Sequence, residues 1–317
     1  MQIIQAPRAS AILYNLLVSQ ANSLPWILPA NICPIVPITF FKARVPFEFV
    51  DISAETLHMN LEQAETLIKT RKYGGLLYAH TYGEPSTPNE YFAHAKSINP
   101  ELFILDDRCL CIPDVEPNMN SSADVTLYST GYAKIVALNF GGYAFMKENV
   151  RFEPARLSFN PQDYEELEKS YKEAVSRNTR FIYHDNDWLE TDSNLPTWYD
   201  YCQQIEKHRN DSLGKRRQLN EIYAGLIPDE IQLPEAYQTW RFNIRVRNNK
   251  GVLDAIFNTG LFASSHYASL AGIMTEGNAP QAEKLADEVI NLFNDHHFSA
   301  EEAEEVCGII SENLSWN

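Results

Sequence analysis

The sequence predicts an α/β protein: a three-layer α/β/α sandwich with a mostly parallel sheet, followed by a smaller α+β domain. Through the first half, short apolar runs alternate with segments of helical periodicity, which is typical of βαβ units. Beyond that half the segments become longer and more charged. The 317 residues, 44% of them hydrophobic, exceed one average domain. We therefore expect a large domain over residues 1–160 and a smaller one over residues 161–317.

The predicted strands of the large domain are short apolar runs bounded by glycine, proline or acidic residues. They lie within residues 24–36, 46–52, 74–83, 102–107, 124–130 and 141–146. Helices are predicted at 9–20, 61–70 and 91–98, where apolar residues recur at helical spacing. The first helix begins at a small polar residue, so we expect Ser10 at or near its N-cap.

The second half is predicted to be mainly helical, with one half-buried strand. Helices are expected at 161–183, 195–227, 249–258 and 280–294, and the strand at 239–248. The run Lys215-Arg216-Arg217 indicates a solvated helix face. Arg241, Arg245 and Arg247 alternate and so share one face of the strand. Three arginines on a solvated strand are ordinary, but one of them, by preference Arg241, is a candidate for holding a carboxylate or phosphate.

Charge and cysteine content narrow the class of protein. A formal net charge of −16 argues against a nucleic-acid or anionic-membrane partner, although an acidic protein can still hold a small anion at a helix N-terminus. The five cysteines are odd in number, which favours buried thiols over a disulfide framework. We find neither a signal-peptide pattern nor about 18 consecutive apolar residues, so a cytoplasmic enzyme is expected.

Chemically suited side chains follow the ends of predicted strands. Asp106 and Asp107 end one strand, Ser129 ends the next, and Lys134 follows one turn later, while the first helix offers its N-terminus near Ser10. Ligands of open α/β sheets bind beyond these strand ends. A lone lysine is more often a solvated surface residue, but this set suits a phosphorylated aldehyde cofactor. The lysine would form a Schiff base, an aspartate would pair with a ring nitrogen, and hydroxyl and helix N–H groups would hold the phosphate.

Several motifs occur together in a fixed order along the chain. They are Arg8-Ala9-Ser10-Ala11, Leu28-Pro29-Ala30, "ARVPFEFVDISAETLHMN" (43–60), "YAHTYG" (78–83), "LDDRC" (105–109), Ser129 with Lys134 and Gly141-Gly142, and His266-Tyr267. The ordered set resembles the DegT/DnrJ/StrS-type sugar aminotransferases, which are fold-type I enzymes that use pyridoxal 5′-phosphate (PLP). The resemblance extends from about residue 8 to residue 312 and is weaker around 110–123 and 150–190.

The resemblance implies a role for each matched residue that would contact the cofactor. Lys134 would form the Schiff base with PLP, and Asp107 would pair with its ring nitrogen. The other cofactor contacts would be Ala9, Ser10 and Ser129 at the phosphate, Cys33 where the family commonly has an aromatic residue on the ring, and Asn186 reaching the phosphate of a partner subunit.

The resemblance also implies the substrates and the assembly. The substrate would be a nucleotide-linked keto sugar, the amino donor glutamate, and the assembly a homodimer. His266 and Tyr267 would contact substrate, with Arg241 as a further candidate. No metal is expected: His296-His297 is more typical of a solvated turn, and His80 of a satisfied core histidine.

Four positions depart from the family pattern. Ala9, Cys33, Leu110 and Ile135 stand where the family has a glycine, an aromatic residue, a glutamine or histidine, and an asparagine. Two alternatives therefore stay open. One is a PLP enzyme of another reaction type, such as a dehydratase or lyase. The other is a protein of the same fold that binds a ligand without chemistry.

Overall fold

A computed structural model describes residues 1–20 and 24–314; the last three residues of the predicted C-terminal domain, 315–317, lie outside this range. Its main element is a seven-stranded sheet. The strands are β1 (Gln2–Ala6), β2 (Trp26–Pro29), β3 (Phe47–Val50), β4 (Gly75–Ala79), β5 (Phe103–Asp107), β6 (Val125–Ser129) and β7 (Gly142–Met146). The predicted strands β2 to β7 are confirmed, whereas β1 was not anticipated.

The sheet is mostly parallel, as expected. Its order is β1-β7-β6-β5-β4-β2-β3. Strands β2 to β6 run parallel, while β7 is antiparallel to both of its neighbours. The carboxyl ends of β1 to β6 therefore meet the beginning of β7 at one edge of the sheet.

Helices cover both faces of the sheet. In the first half they are α1 (Ala9–Ser19), α2 (Ile35–Ala43), α3 (Leu61–Lys69) and α4 (Asn89–Ile98). Leu105 packs in the apolar cluster of α1 and α2, and its neighbour Ile104 packs in that of α3 and α4. Alternate strand residues thus face opposite helix layers, which confirms the predicted three-layer sandwich.

The second half adds helices and a small sheet. The elements are α5 (Pro161–Ser176), α6 (Trp198–Leu226), β8 (Phe242–Arg245), α7 (Asn249–Asn258), α8 (Pro280–Glu288), β9 (Val289–Leu292) and α9 (Ala300–Asn313). The helix predicted over 280–294 was wrong after Glu288, because the residues of β9 are fully buried and pair antiparallel with β8. The helix predicted to reach residue 183 ends at Ser176, close to Asn178, which has a left-handed φ of 49°.

The apolar clusters tie the second half to the first. Helix α5 and residues 181–189 share the cluster of α1 and α2, through Leu167 and Trp188 among others. A further cluster joins Tyr82 and Ile135 of the first half to Trp240 of the second. The domain boundary after residue 160 stays a prediction.

None of the helices in the described ranges 1–20 and 24–314 combines the length and the apolar character needed to cross a bilayer.

Candidate active site

The carboxyl edge of the parallel strands gathers most of the predicted functional residues. Cys33 follows β2, Asp107 is the last residue of β5, and Ser129 is the last residue of β6. Lys134 lies in the loop between β6 and β7. Because the strands end at the same edge, residues far apart in sequence lie near one another.

Asp107 is buried, with 8% of its surface exposed. Its Oδ1 accepts a hydrogen bond from the backbone N–H of Cys109 at 3.0 Å, which orients the carboxylate. The preceding residue, Asp106, faces the α3/α4 layer like Ile104, and its Oδ1 lies 2.7 Å from Nε2 of His80. The two aspartates therefore face different sides of the sheet, and Asp106 holds His80 in place.

The loop that carries Lys134 is held by residues from the second half of the chain. Ala133 has a left-handed φ of 57°, and its carbonyl accepts a hydrogen bond from Nε1 of Trp240 at 2.8 Å. The carbonyl of Lys134 accepts a longer bond from Nη2 of Arg216, at 3.4 Å. Lys134 itself is half-buried. These contacts fix the backbone at Lys134.

The prediction of a solvated helix face was wrong for Arg216, which is only 3% exposed. It lies on the buried stripe of α6, together with Tyr201, Ile205, Leu219 and Tyr223. Helical periodicity turns one residue of a basic run toward the core while the residues beside it point elsewhere. The run itself gives no local signal for this burial, so the support that Arg216 gives to the Lys134 loop was missed.

Two thiols, Cys33 and Cys109, are near enough to both Asp107 and Lys134 to be affected by their charges. Burial raises the pKa of Cys33, while the charge of Lys134 lowers it and that of Asp107 raises it. Burial likewise raises the pKa of Cys109, on which the same two charges act in the same directions. The acid and the amine predicted to be catalytic thus face one site, which we call the Asp107–Lys134 site. Cys109 was missed as a member, since a cysteine two positions after an aspartate has no sequence signal of its own.

The start of α1 packs against the end of β6, where a phosphate was predicted to bind. Ser129 is the register partner of Gly142 in β7. A Cβ at Gly142 would come within 2.4 Å of the backbone nitrogen of Ala9, so only glycine allows this close approach. The first turn of α1 contains Ser10 and carries no acidic residue. Hydroxyl groups and helix N–H groups therefore lie together in an arrangement suited to an anion.

Ser10 lies near the N-cap of α1, as predicted. The N-cap itself is Arg8, which has extended backbone, and Ser10 lies inside the first turn. The guanidinium of Arg8 lies 4.7 Å from the ring centre of Tyr164 in α5. A guanidinium has no acceptor, so the Arg8 side chain cannot bond to the free N–H groups of this turn.

Tyr267 and His266 reach the same site from the second half of the chain. Burial raises the pKa of Tyr267 well above its usual range, and its side chain interacts with Cys33 and with the charge of Asp107. Removal of the ring from water, together with the positive charges of Arg241 and Lys134, lowers the pKa of His266, although the residue as a whole is exposed. The lowered pKa favours the uncharged imidazole, which can both donate and accept a hydrogen bond.

Arg241 lies near the site but is engaged within the chain. It precedes β8 and is 2% exposed, and its Nη1 bonds to Oδ2 of Asp295. Arg245 is half-buried and bonds to Glu288, so the expected solvated face was wrong for these two arginines. Both arginine side chains lie beside the buried sheet of β8 and β9, where they bond to acidic residues instead of facing solvent. A substrate contact of Arg241 stays a prediction.

Asn186 lies apart from the Asp107–Lys134 site within its own chain. Its carbonyl accepts a hydrogen bond from Nζ of Lys42, near the C-terminal end of α2, at 2.8 Å. Cys33 lies just before the other end of this nine-residue helix, roughly 13 Å away along the axis. The Oδ1 of Asn186 is buried without a hydrogen-bond partner among the described residues. Its contact with a partner subunit stays a prediction.

Solved structures of known proteins share this fold over nearly the whole chain. A DegT DnrJ EryC1 StrS aminotransferase from Brucella abortus aligns at 16% identity with a TM-score of 0.67, covering 99% of this chain and 86% of its own. Spr1654 from Streptococcus pneumoniae, solved in its PLP form, aligns at 16% identity with a TM-score of 0.70, covering 99% and 88%. The sugar aminotransferase CalS13 from Micromonospora echinospora aligns at 14% identity with a TM-score of 0.68, covering 98% and 87%.

No family model and no curated protein matches the sequence. At such low identities the likeness to solved structures shows the fold alone. The resemblance inferred from the motifs therefore holds at the level of the fold, which is the one shared by these aminotransferases.

Proposed function

We propose that the protein is a PLP-dependent aminotransferase that transfers an amino group from glutamate to a nucleotide-linked keto sugar. The observation that carries this proposal is the common site of Asp107 and Lys134, whose charges act on the same two thiols, Cys33 and Cys109. A buried carboxylate and a half-buried amine around one site are the two groups that this chemistry requires. The fold shared with the sugar aminotransferase CalS13 supports the same function.

The residues present fit PLP. The close approach of Ala9 to Gly142 leaves the first turn of α1 beside Ser129, where hydroxyl and N–H groups would hold the phosphate. Asp107, oriented by the N–H of Cys109, would pair with the ring nitrogen. Lys134 is the amine that would bond to the aldehyde carbon. Cys33 would lie against the ring in place of an aromatic side chain.

When bound, PLP supplies an electron sink that stabilises negative charge at the carbon bearing the amino group. Asp107 would keep the ring nitrogen protonated, because a carboxylate beside that nitrogen favours its charged form. The amine of Lys134 would be the group that accepts and returns the substrate proton, as a general base and acid. The hydrogen bonds from Trp240 and Arg216 hold the backbone of the Lys134 loop during these transfers.

The assembly belongs to the same proposal. We infer a homodimer in the cytoplasm, with Asn186 of each subunit reaching the other's phosphate. Asn186 is only half-buried in its own chain, which leaves part of the residue accessible to a partner. Light scattering on the purified chain would test it, since a monomer at micromolar concentration would contradict the inference.

The half-reaction with glutamate tests the function. We expect protein loaded with PLP to yield pyridoxamine phosphate and 2-oxoglutarate in equal amounts after glutamate is added, without any sugar. A nucleotide-linked keto sugar should then restore PLP and leave as an amino sugar. Loss of water or cleavage of the substrate with no pyridoxamine phosphate would indicate a dehydratase or lyase instead.

A further inference from the structure

Three buried side chains outside the Asp107–Lys134 site converge in the first half of the chain. His58, His80 and Glu84 are only 4%, 2% and 7% exposed. One ligand atom from each, an imidazole nitrogen or a carboxylate oxygen, lies within 4.8 Å of the others. Asp106, which bonds to His80, faces the α3/α4 layer, so the cluster lies across the sheet from Asp107. The proposed amino-transfer chemistry does not use these residues.

His58 presents an unused nitrogen to this cluster. Its Nε2 is buried, has no hydrogen-bond partner within the described part of the chain, and lies 3.6 Å from Oε2 of Glu84. The rings of Tyr78 and Tyr237 pack on it, with centroids 5.5 Å and 5.9 Å away, and fix its orientation. Buried polar nitrogens rarely lack a partner, so an unpaired one aimed at a carboxylate points to a ligand that both would bind.

Both ring nitrogens of His80 have hydrogen-bond partners. Its Nε2 lies 2.7 Å from Oδ1 of Asp106, and its Nδ1 lies 2.6 Å from the backbone carbonyl of Glu84. A metal ion at Nδ1 would replace the hydrogen bond to that carbonyl, which would have to move away from the nitrogen. The bond from Nε2–H to Asp106 would remain, which gives the carboxylate–histidine–metal arrangement that orients metal ligands.

Glu84 is also fixed before any ion binds. Both of its carboxylate oxygens lie 3.1 Å from the backbone nitrogen of Ser86, whose N–H donates to them. The thiol of Cys111 lies 3.9 Å from the Glu84 carbonyl and offers an additional soft donor. His58 and Glu84 are therefore oriented before an ion binds, whereas His80 would exchange one hydrogen bond for the ion.

We propose that His58, His80 and Glu84 bind one divalent transition-metal ion of the zinc class. Two imidazole nitrogens and one carboxylate oxygen are ligands that zinc accepts, and they leave a fourth position for water or Cys111. The ion would join the loop around His58 to the turn at Glu84. It would act structurally, because the proposed amino-transfer chemistry uses none of these three residues.

A second group of metal-binding residue types provides the control. Asp295, His296 and His297 also lie within 4.8 Å of one another, but both histidines are exposed in a turn, as predicted for them. Asp295 is already bonded to Arg241. This group is therefore not proposed as a site, and its histidines can be replaced without disturbing the buried cluster.

Cobalt binding tests the proposal on the full, untagged chain after treatment with a chelator. Difference spectra against the same protein without Co²⁺ remove other absorption. We expect d–d absorption that saturates at one Co²⁺ per chain and is abolished by an equal amount of Zn²⁺. The variants His58→Gln and Glu84→Gln should each weaken binding by at least about 100-fold, since even indirect partners of metal ligands contribute about 10–100-fold. The double variant His296→Gln/His297→Gln should bind as the unchanged chain does.

Several outcomes would overturn the proposal. They are the absence of saturable absorption in the unchanged chain, unaltered affinity in Glu84→Gln, and loss of binding in the His296→Gln/His297→Gln variant. Circular dichroism would check folding. If His58→Gln does not fold, the Glu84→Gln variant tests the proposal. Its amide has the same shape as the carboxylate and keeps an acceptor for Ser86, so this variant should fold. Zn²⁺ should also raise the unfolding temperature of the unchanged chain and not that of Glu84→Gln.

Discussion

The indole Nε1 of Trp240 donates a hydrogen bond of 2.8 Å to the backbone carbonyl of Ala133. The contact joins the second half of the chain to the residue before Lys134. Because Ala133 has a left-handed φ of 57°, an external contact is needed to hold this backbone in place. The orientation of the Lys134 side chain thus depends on how the two halves of the chain pack together.

The two half-buried thiols near Lys134, Cys33 and Cys109, are expected to react slowly with alkylating reagents. Burial raises the pKa of Cys33 and of Cys109 above the ordinary value of 9.0, so the reactive thiolate is scarce at pH 7. The rate of alkylation of both should keep rising as the pH passes 9 in the folded protein. Mass spectrometry of iodoacetamide-treated protein, compared with protein in urea, measures this. Rapid labelling of Cys33 at pH 7 would show that the thiol is not held as described.

Replacing Gly142 with alanine should separate α1 from the end of β6. The new Cβ would lie 2.4 Å from the nitrogen and 2.5 Å from the Cα of Ala9, both of them backbone atoms. We expect a loss of about 1–3 kcal/mol in the free energy of unfolding, as for overpacked sites. Affinity for PLP should fall at least about tenfold, as about 1.4 kcal/mol implies.

Gly214→Ala in α6 is the matched control, since no atom lies within 4 Å of its added Cβ. It should leave PLP affinity unchanged and raise stability by up to about 1 kcal/mol, because alanine favours helix. Urea unfolding and titration with PLP measure both quantities. Equal effects of the two substitutions would contradict the role assigned to Gly142.

Replacing Asp107 with asparagine should slow the glutamate half-reaction. The neutral amide cannot hold a proton on the ring nitrogen, and a hydrogen bond between charged groups contributes about 1.5–3 kcal/mol, which corresponds to roughly 10–100-fold in rate. Stopped-flow absorption of the PLP-loaded variant measures the rate. Asp114→Asn, at an exposed position, should react at the unaltered rate. An unchanged rate in Asp107→Asn would remove Asp107 from the mechanism.

Asp295 is expected to stabilise the fold through buried arginines. Burial raises its pKa, but Arg241 and His297 outweigh burial and lower it well below the usual 3.8. Asp295→Asn leaves Arg241 and Arg216, 2% and 3% exposed, without this countercharge. We expect a loss of about 3–5 kcal/mol in the free energy of unfolding at pH 7, as for broken buried pairs. Glu153→Gln, which removes an exposed ion pair with Arg151, should cost less than about 1 kcal/mol.

The same ion pair gives this stabilisation a pH dependence. Because the folded-state pKa of Asp295 is lowered, its contribution is complete above the unfolded pKa near 3.8 and is lost as the pH falls through the folded value. Urea unfolding between pH 6 and pH 3 should therefore show a steeper loss in the unchanged chain than in Asp295→Asn. Parallel curves would mean that Asp295 does not carry the stabilisation.

Local patterns were sufficient for most strands and helices of the large domain. Each of β2 to β7 is an apolar run with a turn signal, and these signals do not depend on distant contacts. Strand β1 is a short segment, "QIIQA", that pairs with β7 at the sheet edge. Proline follows it, but its two glutamines leave only a short apolar run. Strand β9 directly follows α8, with no glycine or proline between them. The helical periodicity therefore predicts a single helix across this boundary.

Helix α9 was missed although the sequence contained a start signal. Ser299 and Glu302 form a capping box, in which each side chain bonds to the backbone of the other residue.

The contacts around Lys134 could not be predicted from such a local signal. That Trp240 bonds to Ala133 depends on how the two halves of the chain pack, and no local pattern encodes such a pairing. The strand ends that carry Asp107 and Ser129, in contrast, do follow from local signals.

The absorption spectrum of the purified protein with PLP, before and after borohydride, tests the role of Lys134 most directly. We expect a visible band that borohydride abolishes, with the reduced pyridoxyl group mapped by mass spectrometry to Lys134 and absent from Lys134→Ala. A protein that stays colourless with PLP, or a label on a different lysine, would contradict the assignment of Lys134 and with it the proposed amino-transfer chemistry.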